Sequence, residues 1–111
     1  MPSSWYGASN LAAEVTIVLL PWVPKLIGRD EGRQVTERRE LVAGETVGDF
    51  LLRYAAGYPE LLDWLWDADK RELKMPVEVA VNGSVLGIHH QLDSELRAGD
   101  EILLLPQYQG G

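Results

Sequence analysis

The residues predict an α+β domain in which a mixed sheet carries one main helix on one face, and three observations lead there. Val15 to Leu20 and Ile102 to Leu105 are aliphatic runs without polar alternation, the pattern of strands paired on both edges. Between them Val47, Phe50, Leu51, Tyr54 and Ala55 recur at helical spacing. Asn82-Gly83 separates two short apolar runs and is the strongest local hairpin signal, because both turn positions require positive φ.

Taken in order, residues 1 to 13 are rich in Pro, Ser, Gly and Asn and read as a loose arm, despite Trp5 and Tyr6. The first strand follows at Glu14 to Leu20. Pro21, Pro24, Gly28, Asp30 and Gly32 mark a long connection, after which Arg33 to Val42 resumes as a strand, so the join is a long hairpin. Thr46 is the expected helix cap, with Asp49 three residues on. Gly57 ends that helix, and Pro59 opens a second short helical stretch through Leu61, Leu62, Leu65 and Trp66. Asp67 to Lys74 reads as a charged loop. Val77 to Val81 and Val85 to Ile88 flank the Asn82-Gly83 turn, Gly99-Asp100 forms another, and Glu101 to Leu105 is the final strand. The first and last strands are expected side by side and parallel at the centre. Pro106 then stops ladder pairing, leaving residues 107 to 111 as a polar, glycine-ended tail beyond a domain spanning 14 to 106.

Composition narrows the chemistry. A chain of 111 residues, 46% hydrophobic and 24% charged, is one ordinary globular domain by length. It has no cysteine, which removes disulfides, thiolate metal sites and any cysteine nucleophile. A net charge of −7 repels phosphate, so a nucleic-acid partner is not expected, while a basic protein partner is favoured. The apolar stretch Val15 to Leu20 is too short to span a membrane and no signal peptide is legible, so a cytoplasmic location is the default expectation.

The residues Val79, Ala80, Val81, Asn82, Gly83, then Leu96, Arg97, Ala98, Gly99, Asp100, Glu101, Ile102, and finally Leu105, Pro106 and Gly110-Gly111 resemble a known pattern in order and spacing. It is that of the ubiquitin-like β-grasp sulfur carriers, the small subunit of molybdopterin synthase and the thiamine sulfur carrier. The resemblance covers about Glu14 to Gly111, with Pro106 more like the molybdopterin synthase branch. It implies a non-catalytic carrier whose Gly111 carboxylate is adenylated by an ATP-dependent, ubiquitin-activating-type adenylyltransferase and becomes a thiocarboxylate. ATP and Mg would be used by that partner, and no cofactor bound by the chain is implied. A sulfur-accepting enzyme, such as a molybdopterin synthase large subunit, would follow.

The chemistry explains the tail. A carboxylate resists nucleophiles until it is converted to a mixed anhydride, and that step must exclude water within a narrow channel. Gly110 and Gly111 lack Cβ and can thread such a channel. Residues 107 to 111 reach roughly 17 Å when extended, at about 3.3–3.6 Å per residue. The expected partner contacts are Leu20, Leu104, Pro106, Gln107, Tyr108 and Gln109, with Trp22 and an apolar free sheet face including Val18 beside them. Two other functions share parts of this reading: a protein modifier joined to lysines through Gly111, and a non-covalent interaction module with an inert tail.

Other residues suggest less. His89-His90 would point to opposite faces of a strand and lack a third ligand, and Asp63, Asp67 and Asp69 have no ligand-loop pattern around them, so no metal is expected. No nucleophile-and-base arrangement or phosphate-cradling loop appears, which places catalysis with partners.

Overall fold

The computed structural model describes residues 13–29, 32–69, 71–74, 77–88 and 90–106. In chain order the elements are β1 (Glu14–Leu19), a 3-10 turn (Val23–Ile27), β2 (Val35–Glu40), α1 (Val47–Ala55), α2 (Pro59–Leu65), β3 (Trp66–Asp67), β4 (Glu72–Leu73), β5 (Val77–Val81), β6 (Ser84–Val85) and β7 (Glu101–Pro106). The main sheet runs β2-β1-β7-β5-β6. As the aliphatic runs predict, β1 and β7 are adjacent and parallel, with Val18 opposite Leu103 and Leu19 opposite Leu104. Every other pairing in the sheet is antiparallel.

One face of this sheet carries the core. Ile17, Leu19, Val79, Val81, Ile102 and Leu104 point to it and meet Phe50, Leu51, Leu61 and Leu65 from the two helices, each no more than 2% exposed. Removing that much apolar surface from water, at about 25 cal/mol per Å², is the dominant stabilising term.

α1 starts where the sequence places its cap. Thr46 is extended, at φ −88° and ψ 169°, and its Oγ1 accepts from the Asp49 N–H at 3.1 Å. Two more of the helix's unpaired donors are taken up by a neighbouring loop, Val47 N–H by the Ser94 carbonyl at 2.9 Å and Gly48 N–H by the Leu92 carbonyl at 2.8 Å. Glycine at 48 eases this approach, because a Cβ there would lie 3.2 Å from the Leu92 oxygen and the loop would have to yield by a few tenths of an ångström. α2 opens with Pro59, whose missing N–H costs nothing in a first turn.

Several details differ from the expected elements: Pro106 does not stop the ladder but closes β7 opposite Val77, the strand expected over Val85 to Ile88 is Ser84–Val85, and Trp66 opens β3 rather than extending α2. The second strand is shorter at both ends than Arg33 to Val42. The segment read as a charged loop, Asp67 to Lys74, instead contains β4, which pairs with β3 through Trp66 opposite Leu73 and Asp67 opposite Glu72. Leu73 packs against the core, so a few apolar contacts fold back a stretch whose charges hide the pattern.

At the start of α1 sits Glu45, a carboxylate only 7% exposed. Arg53 grips it with two bonds, Nε to Oε2 at 2.7 Å and Nη2 to Oε1 at 2.9 Å, and the Val42 N–H donates to Oε1 at 3.0 Å. The Arg53 hydrogen bonds, aided by the Val42 N–H and opposed by burial, hold the Glu45 pKa below its ordinary value of 4.5. A depressed folded-state pKa gives stability that is present above the unfolded value and lost as pH falls through the folded one. The urea midpoint is therefore expected to fall as pH drops below about 4.5, and Glu45→Gln to lower stability at pH 7 while flattening that acid limb. An unchanged limb in Glu45→Gln would assign the acid sensitivity to other carboxylates.

Candidate functional site

The sheet delivers the end of β7 from a fixed position. Its backbone is bonded on one side to β1 and on the other to β5, where Pro106 stands opposite Val77. The Leu20 N–H continues the parallel ladder past the end of β1, donating to the Leu104 carbonyl at 3.1 Å. Leu20 and Pro106, both half-buried, therefore mark the same end of the sheet. Its other end is tied by Asn82, which donates through its side chain to Asp100 Oδ1 at 3.0 Å and accepts from the Glu101 N–H at 2.9 Å. Asn82 and Gly83 have φ of 51° and 87°, as the turn demands. Gln107, Tyr108, Gln109, Gly110 and Gly111 lie outside the described residues.

Leu104 is not on the free face, contrary to expectation. It is 0% exposed and belongs to the core, paired with Leu19 and Val79. Side chains alternate along a strand, so the free positions of β7 are Leu103 and Leu105. Their register neighbours share that face: Val18 and Ala80 beside Leu103, themselves only 7% and 4% exposed, Glu78 beside Leu105, and Val85 beside Ala80, so the accessible apolar surface there is that of the half-buried Leu103, Leu105 and Val85. The apolar residues gather toward the Leu20 and Pro106 end, while Glu14, Glu101, Arg38 and Glu40 occupy the opposite end and the β2 side. A patch of this form, apolar at the centre and charged at the rim, suits a protein partner. Leu103, Leu105, Ala80 and Val85 are the residues that sequence reasoning missed. Two continuous apolar strands carry no parity signal until their register is known.

The covered face has its own polar cluster at the β2 edge. The Tyr54 hydroxyl donates to Glu37 Oε1 at 2.7 Å, and the Arg39 guanidinium lies 5.2 Å from the Tyr54 ring centre. Burial first, then the Glu37 carboxylate, raise the Tyr54 pKa and keep its hydroxyl protonated. The cluster fastens α1 to β2 and is remote from the end of β7.

Among the described residues no group of three or more His, Asp or Glu side chains could hold a metal ion, and no helix is long and apolar enough to cross a membrane. His89 lies outside the described residues, and His90 is half-buried. Trp64 packs against the core.

A family model described as the ThiS family matches residues 32–111. The fold is also that of several solved structures. The small archaeal modifier protein 1 from Methanosarcina acetivorans is 28% identical, with a TM-score of 0.64 over 90% of this chain and 98% of that one. A putative molybdopterin converting factor subunit 1 from Pyrococcus furiosus is 23% identical, with a TM-score of 0.63 over 87% of this chain and 100% of that one. CysO from Mycobacterium tuberculosis is 21% identical, with a TM-score of 0.63 over 85% of this chain and 99% of that one. A search of curated proteins gives no match. The last two likenesses establish the β-grasp fold, and the family match runs through both terminal glycines.

Proposed function

Because the chain belongs to the ThiS family, we propose that it is a sulfur carrier whose Gly111 carboxylate is adenylated by a partner and then converted to a thiocarboxylate. The observation that carries this reading is that the family match extends through Gly110 and Gly111, beyond the last strand. In the proposed reaction the carboxylate attacks the α-phosphate of ATP and expels pyrophosphate. Hydrosulfide, the sulfur nucleophile of the simplest balanced step, then attacks the acyl adenylate and expels AMP, which carries away one carboxylate oxygen and leaves sulfur in its place.

The domain's part is binding and placement. A strand bonded on both edges moves little, so residues 107 to 111 would enter the partner's channel from a fixed origin, and the reacting carbonyl would lie within the small tolerance such chemistry allows. Leu20, Leu103, Leu105 and Pro106 support a docking role because they surround that origin with apolar surface. The partners proposed are an ATP-dependent, ubiquitin-activating-type adenylyltransferase and a sulfur-accepting enzyme of cofactor biosynthesis, molybdopterin-like or related.

A second reading has its own support. The likeness to an archaeal modifier protein at 28% identity favours a chain that is also joined through Gly111 to lysines of other proteins. Activation is common to both, and the products separate them. Intact mass measured on protein made with its own activating enzyme and a sulfur donor is expected to show one oxygen replaced by sulfur. A ladder of heavier isopeptide-linked species without that replacement would select the modifier reading, and an unchanged mass with active enzyme present would reject both.

A further inference from the structure

Leu20, Pro21, Trp22 and Val23 form a β-turn closed by the Val23 N–H, which donates to the Leu20 carbonyl at 3.0 Å. A turn with proline second and positive φ third calls for glycine at the third position. This chain has Trp22 there, at φ 91° and ψ −43°. A bulky side chain held in that region strains the backbone. Trp22 nevertheless leaves 46% of its surface in water, an exposed large apolar side chain at the end of the sheet from which the tail departs.

The ring stands edge-on to Trp64, with centroids 5.4 Å apart and planes at 63°. Trp64 in turn walls a groove of about 490 Å³ whose apolar lining includes Leu26 and Pro59, and whose rim carries Glu60, Asp63 and Lys74. Lys74 is occupied within the molecule: its Nζ donates to the Asp63 main-chain oxygen and lies 3.7 Å from the Asp63 carboxylate. Two carboxylates against one ammonium leave the rim net negative on a chain of net charge −7.

The groove is close in the fold to the root of the tail. The 3-10 turn that follows Trp22 packs on both α2 and β7. The Lys74 carbonyl accepts from the Val77 N–H at 3.1 Å, and Val77 stands opposite Pro106. It opens on the helix side of the sheet, away from the Leu103 face, so a protein surrounding the tail root would meet both surfaces.

Resting on the carrier reading, we infer that Trp22, Trp64 and Leu26 with Glu60 and Asp63 form a second docking site, for a basic side chain of the protein that activates the tail carboxylate. The aliphatic stem of an arginine or lysine would lie on Leu26 and the Trp64 ring, with its charge at the two carboxylates. The activating protein is the favoured occupant because carrier and modifier readings both begin with it, and because it must hold the domain while the tail is threaded.

The test is ATP-dependent pyrophosphate release by the chain's own activating enzyme, measured against carrier concentration for the full chain, Trp22→Gly, Glu60→Lys and a Gly111 deletion. Trp22→Gly relieves the backbone angle and gives up the Trp64 contact, so its thermal midpoint is measured alongside to show that the domain is folded at the assay temperature. Its KM is expected to rise about tenfold with kcat within about twofold, and Glu60→Lys is expected to move KM in the same direction. A KM within about twofold of the parent in both variants overturns the site. A full chain that releases no more pyrophosphate than the Gly111 deletion overturns the carrier reading, and this inference with it.

Discussion

Deleting Gly111 is expected to abolish the sulfur-for-oxygen mass gain while leaving the unfolding transition of the domain where it is. The shortened chain still ends in a glycine carboxylate, so its intrinsic chemistry is unchanged. What changes is position: the last carbonyl falls short by about 3.3–3.6 Å, the advance of one extended residue. Acyl activation depends on alignment to well under that distance, and a misplacement of about 1 Å already costs on the order of 100-fold. The core of Ile17, Phe50 and Ile102 is built within residues 14–106, so the unfolding transition is expected to stay where it is. Sulfur gained at the parent rate by the deleted chain would overturn the claim that activation depends on the position of the Gly111 carbonyl.

The second large effect separates two adjacent leucines. Leu104→Ala is expected to cost about 2–5 kcal/mol in urea unfolding, because the side chain is fully buried between Leu19 and Val79 and its loss leaves a cavity. Leu103→Ala, one position away and half-buried on the open face, is expected to cost less than about 1 kcal/mol. Partner affinity is expected to follow the opposite order, with Leu103→Ala binding the activating enzyme more weakly and Leu104→Ala, where still folded, binding it normally. Equal destabilisation by the two substitutions would contradict the face assignment.

That pair also shows what was legible in the residues. The aliphatic runs, the helical spacing of Val47 to Ala55, the Thr46 cap and the Asn82-Gly83 turn each record a local physical demand, and each appears in the structure where it was expected. Which face Leu104 occupies is not local. It depends on the register of β7 against β1, some eighty residues earlier, and a run of consecutive leucines satisfies either parity. The β3 and β4 ladder was hidden for a related reason, since two-residue strands leave no periodicity to read. The strained angle at Trp22 was equally silent. Pro21 signals a turn, but only the backbone shows that tryptophan stands at the glycine position.

The placement of β7 at the middle of the sheet has a consequence during synthesis. While residues 101–106 are still inside the ribosome, β1 and β5 have no strand between them, and neither the inner layer nor the outward patch of Val18, Leu103 and Ala80 can form. Such a distant pairing is slow to close and cannot start early. An unfinished nascent chain therefore lacks the Leu103 face, and recognition through that face waits until translation has passed the central strand.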